Sequence, residues 1–83
     1  MDSPARQPPE LNYRAFGVAV GRMRRDRSLT LEGLAAASGV SRQTILNVEN
    51  NHKTVSLDTA HRLAFALGVP LPELVGHLLE DGT

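Results

Sequence analysis

Apolar residues recur along this chain every three or four positions, and no stretch alternates with a period of two. Phe16, Val20 and Met23, with Ala19 beside them, mark one face of a helix expected over 13–27, with Asn12 as its cap. Gly17 and Gly21 weaken that helix locally. A second helix is expected over 31–38 behind Thr30, and a third over 42–50 behind Ser41. Leu57, Ala60, Leu63, Ala64 and Leu67 form the buried stripe of a fourth over 57–67, capped by Ser56 and closed by a left-handed Gly68. Leu71, Leu74, Val75 and Leu78 share one face of a fifth over 71–79, with Pro72 in its first turn. The pattern predicts an all-α domain of five helices spanning residues 12–80. Residues 1–11 hold three of the five prolines and no apolar periodicity, which predicts a flexible N-terminal tail. Residues 81–83 form a short C-terminal tail. Arg6 lies in the first tail, where an arm reaching a groove and an idle segment are both open.

The second and third helices are the most informative pair. Steeply crossing helices need a small residue where they touch, and Ala35 supplies it. Reversal within three or four positions needs a residue tolerant of positive φ, and Gly39 supplies that. Leu34, Val40, Ile45 and Val48 anchor the two helices on a shared core. Arg42, Gln43, Leu46, Asn47 and Asn50 are left outward on the third helix. That face is rich in hydrogen-bonding groups suited to the edges of base pairs.

Length and charge narrow the setting. The chain has 83 residues, which allow one small domain with a modest core, marginal alone or helped by a partner. It has no cysteine, hence neither disulfides nor thiolate metal sites. The N-terminus lacks the apolar core of a leader, and no run approaches membrane-spanning length, so a cytoplasmic protein is expected. Net charge is zero, yet the charge is polarised. Residues 14–53 carry seven basic side chains against three acidic ones, and residues 54–83 carry one against four. The positive half therefore contains the two-helix unit, an arrangement that suits a DNA binder with little non-specific attraction. His52, His61 and His77 show neither pairing with one another nor a carboxylate cluster at ligand spacing. Ser38 and Ser41 have no base placed near them by sequence, and there is no glycine-rich phosphate loop. No metal, no cofactor and no enzymatic activity are expected.

These residues together resemble the lambda-repressor-like helix-turn-helix family, the Cro and phage-repressor type also called XRE-like. The resemblance covers about residues 13–79. It is carried by Arg24 near the end of helix one and by the opening Leu29, Thr30, Leu34, Ala35. The Ser-Gly-Val-Ser turn, the Ile-x-x-Val-Glu of helix three and the Leu-Ala-x-Ala-Leu-Gly-Val ending of helix four complete it. The family implies that helix three enters the major groove, with Ser41, Arg42, Gln43 and Asn47 at base-reading positions and Thr44 at a phosphate position. It implies that the amides near Thr30 and Leu31 face a phosphate and that Asn51, His52, Lys53 and Thr54 form a second phosphate clamp. Arg24 and Glu49 match a pair linking helix one to helix three, a mainly structural role. Leu31 departs from the usual glutamine and Gly33 from the usual glutamate, which predicts weak binding per subunit or reliance on dimerisation.

Phe65 departs from the pattern of helix four. It lies about 100° from the stripe of Ala60, Ala64 and Leu67, where relatives usually place a polar residue. Packing against the tail or helix five is one reading. Self-association through Phe65, Val69, Val75 and Leu79 is the other. The resemblance implies a sequence-specific transcriptional regulator, a repressor or autoregulator, bound as a homodimer to double-stranded DNA. Its small size resembles restriction-modification controllers, antitoxins and small phage or plasmid repressors. The alternative is an adaptor or antitoxin-type module on the same fold, contacting polymerase or a partner toxin, with DNA binding secondary.

Overall fold

A computed structural model describes residues 7–81. The expectations for residues 1–6, Arg6 included, and for residues 82–83 lie outside the described residues. Five α-helices follow in order: α1 Tyr13–Asp26, α2 Leu31–Ser38, α3 Arg42–Asn50, α4 Leu57–Leu67 and α5 Leu71–Gly76. A 3₁₀ turn over His77–Leu79 follows, and the described residues contain no strand.

Side-chain caps set four of the five helix starts. Asn12 Oδ1 accepts from the Ala15 amide at 2.9 Å and Thr30 Oγ1 from the Gly33 amide at 2.9 Å. Ser41 Oγ accepts from the Thr44 amide at 3.1 Å and Ser56 Oγ from the Thr59 amide at 3.0 Å. Each bond satisfies an amide that has no partner inside its own helix. The end of α1 is one residue shorter than the apolar pattern predicts. Arg27 is the C-cap, and Ser28 turns left-handed at φ 56°. The Leu29 amide then donates to the Arg24 carbonyl at 3.0 Å and the Ser28 amide to the Arg25 carbonyl at 2.9 Å, a Schellman closure.

The core is built from Phe16, Val20 and Met23 of α1, Leu34 of α2, Ile45 and Val48 of α3, and Ala60, Leu63, Ala64 and Leu67 of α4. Val40 of the turn and Leu74 of α5 close it. Helices α1 and α3 cross in close contact, and Gly17 is the reason they can. A Cβ there would lie 2.0 Å from the Val48 carbonyl oxygen. The glycine that costs α1 helix propensity is therefore what lets the α3 backbone approach.

Three expectations are corrected. Leu57 shares the helical phase of the α4 stripe but is 70% exposed, because no element covers the first residue of that helix. The fifth helix stops at Gly76, a weak helix former, and its last turn tightens to 3₁₀. This end is held by the Asn12 amide, which donates to the Leu78 carbonyl at 2.7 Å, so the start of α1 clasps the end of the domain. Phe65 is 81% exposed, which overturns its packing against α5 or the described part of the tail. Val69 and Val75 are half-buried against the core, whereas Leu79 is 80% exposed. The uncovered apolar surface of that region is thus carried by Phe65 and Leu79.

Candidate nucleic-acid interface

The angle between α2 and α3 is set by a three-residue turn. Gly39 ends α2 at φ 72°, and its amide donates to the Ala35 carbonyl at 2.9 Å. A side chain there would meet the left-handed penalty that glycine avoids. Ser38 Oγ, buried within the turn, accepts from the Val40 amide at 3.1 Å. Val40 is driven into the core, so the turn is pinned from inside as well as by its backbone. The sequence places Ser38 in the Ser-Gly-Val-Ser turn and without a base beside it, but gives no sign of this hydrogen bond or of its burial, because a serine at a helix end ordinarily faces water.

Helix α3 buries Ile45, Val48 and Glu49 and leaves Arg42, Gln43, Thr44 and Asn50 exposed, with Leu46 and Asn47 half-buried. Four of the polar groups on this face are tied together in pairs and chains. Gln43 Nε2 donates to Asn47 Oδ1 at 3.1 Å, and Asn51 Nδ2 donates to the same oxygen at 2.8 Å. Among the described residues the Asn47 side-chain amide NH2 and the Gln43 side-chain oxygen have no hydrogen-bond partner, which leaves one donor and one acceptor available. Arg42 Nε donates to Glu32 Oε2 at 2.8 Å, across the turn. Hydrogen bonds from its own backbone amide, and then from Arg42, hold the Glu32 carboxyl below its ordinary pKa. The pair is exposed and adds little to stability; its consequence is geometric.

Ser41 and Thr44 are less free than their positions suggest. Ser41 caps α3, and its hydroxyl also donates to Thr44 Oγ1 at 2.8 Å. The Thr44 hydroxyl proton is left to donate elsewhere. At the start of α2, Thr30 holds the Gly33 amide, while the Leu31 amide has no partner within the helix. The Leu31 side chain packs against the core and offers an external ligand nothing but that amide.

The loop after α3 hangs from one carbonyl. Asn47 O accepts from the Asn51 amide at 3.0 Å and from the Lys53 amide at 3.3 Å. His52 lies between them at φ 52°, with its Nδ1 buried and without a hydrogen-bond partner among the described residues. Asn51, His52, Lys53 and Thr54 are thereby brought beside the end of the polar face. Asn47 connects the two through its side chain and its backbone.

Beneath this surface, Arg24 and Glu49 form a two-point fork. Arg24 Nε donates to Glu49 Oε2 at 2.8 Å and Nη2 to Oε1 at 3.0 Å. Nη1 donates to the Leu29 carbonyl at 2.9 Å, so one guanidinium joins α1, the α1–α2 connection and α3. The two side chains are 13% and 6% exposed. Hydrogen bonding to Glu49 raises the Arg24 pKa above its ordinary value, against the opposing effect of burial, and the Glu49 charge adds to the rise. The cation is held permanently, as a bidentate carboxylate partner allows.

Arg22, Arg25 and Arg27 are exposed on and just after α1, which adds positive charge outside the two-helix unit. Among the described residues no group of His, Asp or Glu could hold a metal ion. No single described helix is long and apolar enough to cross a membrane.

The Helix-turn-helix family pattern matches residues 20–74, which contain α2, the turn, α3 and α4 entire. The chain is 46% identical over 59 residues to an uncharacterised HTH-type transcriptional regulator of Methanothermobacter thermautotrophicus, covering 71% of this chain and 86% of that one. Its structure is similar to the restriction-modification controller protein C.AhdI from Aeromonas hydrophila, with TM-score 0.71, 34% identity, and coverage of 75% of this chain and 94% of that one. It is similar also to the clp gene regulator ClgR from C. glutamicum, with TM-score 0.73, 31% identity, and coverage of 88% and 95%.

Proposed function

Because the chain belongs to the helix-turn-helix family, of the lambda-repressor-like type, we propose that it is a sequence-specific DNA-binding transcriptional regulator reading the major groove with α3. One observation carries this reading. A turn locked by Ser38, Gly39 and Val40 holds up an outward face of Arg42, Gln43, Thr44 and Asn47, with the half-buried Leu46 between Arg42 and Gln43 in helical phase. Arg42 can fork onto guanine O6 and N7, and Gln43 and Asn47 can pair with adenine N6 and N7. Ser41 stands at the entrance of that face. Phosphate contacts fall to Thr30, the Leu31 amide, Thr44, Asn51, His52 and Lys53, which fix register without reading sequence. Arg24 and Glu49 hold α3 at its angle from within.

The protein acts in this reading as a repressor or autoregulator in the cytoplasm. Two copies bind double-stranded DNA across a twofold axis, with half-sites about one helical turn apart. Phe65 and Leu79, with the half-buried Val69 and Val75, supply the apolar contact between copies. The test is selection of bound duplexes from a random pool, followed by titration of the enriched duplex at rising salt. A palindromic consensus and a steep loss of affinity with salt are expected. Absence of any enriched sequence would instead favour an adaptor that meets a protein partner through the same fold.

A further inference from the structure

We propose that Glu32 is a positioning residue, aiming Arg42 at a guanine and keeping it off the phosphates. The proposal rests on the reading of α3 as the groove-entering helix. Arg42 occupies the first position of α3 and is exposed. Its side chain is long, flexible and cationic, and it stands at the positive end of a helix dipole. Left alone, such a group samples many rotamers and is drawn to any nearby phosphate. Glu32 changes that situation from a different element. It lies in the first turn of α2, where a carboxylate is electrostatically favoured. Its Oε2 accepts from Arg42 Nε at 2.8 Å, across a turn whose geometry is fixed by Gly39 and Ser38.

The choice of nitrogen matters. Nε is the inner edge of the guanidinium. Among the described residues this is the one hydrogen bond the Arg42 side chain makes, so the parallel N–H groups of Nη1 and Nη2 stay open. Those two donors match the O6 and N7 acceptors of guanine, the geometry of a two-point contact. A single bond from Glu32 therefore turns the outer fork toward a base edge. It also offsets the positive charge that would otherwise raise affinity for every sequence equally.

Two substitutions separate positioning from charge. Glu32→Gln keeps an oxygen that accepts from Arg42 Nε but removes the negative charge, whereas Glu32→Ala removes both. Wild type, both variants and Arg42→Ala are put through selection from random duplexes. Affinities for the enriched and a scrambled duplex are then titrated over a salt series. Loss of one preference in Arg42→Ala identifies the guanine that Arg42 reads. In Glu32→Ala preference for that guanine falls by about tenfold, the scale of one good two-point contact, and scrambled DNA binds more tightly. Glu32→Gln keeps most of the preference while its affinity for scrambled DNA still rises. All variants stay folded and melt close to wild type, because both side chains are exposed; the two Glu32 variants melt slightly lower, since each loses the first-turn carboxylate of α2. A Glu32→Ala variant that keeps its guanine preference overturns the proposal. So does a Glu32→Ala that binds the enriched duplex more tightly with preference intact, since the pair would then be a latch that DNA must break. A Glu32→Gln as unselective as Glu32→Ala also overturns it, because charge alone would be responsible. A wild type that enriches no sequence overturns the major-groove reading, and this proposal with it.

Discussion

Replacing Glu49 with alanine tests how the α3 surface is supported. Glu49 sits on the inner side of α3, 6% exposed, and receives two hydrogen bonds from Arg24 at 2.8 and 3.0 Å. Removing it leaves a guanidinium only 13% exposed with one remaining partner, the Leu29 carbonyl at 2.9 Å. Breaking a buried pair from one side costs about 3–5 kcal/mol. Arg24 keeps a carbonyl partner and some contact with water, which puts Glu49→Ala near the lower end, about 3 kcal/mol. A chain of this length has a total stability of about 4–12 kcal/mol, so the loss is a large share of it. It corresponds to a fall in melting temperature of about 12–24 °C. Thermal and urea unfolding followed by helical circular dichroism measure it, with Glu49→Ala compared against substitutions on the exposed face of α3. The double variant Arg24→Met, Glu49→Leu exchanges the pair for apolar groups and should regain much of the loss. A full cycle of single and double variants should show strong coupling. Additive losses would refute a direct pair, and a Glu49→Ala no worse than Gln43→Ala would refute its structural weight.

Arg42→Ala and Gln43→Ala should each remove about 1–3 kcal/mol of base discrimination without changing helical content, checked by duplex selection and circular dichroism. Phe65→Lys should shift the protein toward monomer and flatten the salt dependence of operator binding, read by sedimentation over a concentration series and by DNA titration. A Phe65→Lys that unfolds the domain would contradict its 81% exposure. Gly17→Ala should destabilise by about 3 kcal/mol, since its Cβ would meet the Val48 carbonyl oxygen at 2.0 Å and push α3 from α1. Ser28→Gly should raise stability by ~0.5–1 kcal/mol, because relieving the left-handed φ of 56° gains more, about 1–2 kcal/mol, than the ~0.5–1 kcal/mol that glycine costs in chain entropy; chemical unfolding measures both this and the Gly17 change.

The helices were legible in the sequence because their causes are local. The caps at Asn12, Thr30, Ser41 and Ser56 act within three residues, and the stripe of Ala60, Leu63, Ala64 and Leu67 needs no more than a period of 3.6. The tight turn at Gly39 and the outward polar face of α3 follow from the same short-range rules. So does the Gln43–Asn47 contact, whose residues lie one helical turn apart.

What depends on elements meeting could not be read that way. Leu57 has the right helical phase for burial, but exposure depends on what lies across from it, and none of the described residues does so enough to cover it. Gly17 counts against a helix when α1 is considered alone, and it becomes necessary once the α3 backbone arrives against it. The Glu32–Arg42 bond joins residues ten positions apart on two helices, across a turn, so no spacing rule within one helix predicts it. The Ser38–Val40 bond spans only two positions and is local, but the burial of Ser38 depends on how α2 and α3 close around the turn. Sequence alone determined which segments are helical and which faces are apolar, because propensity, capping and periodicity act over a few residues. Tertiary structure alone decided which side chains are covered and where the donors of the polar face are aimed, because burial and hydrogen bonding between elements depend on distances that packing sets.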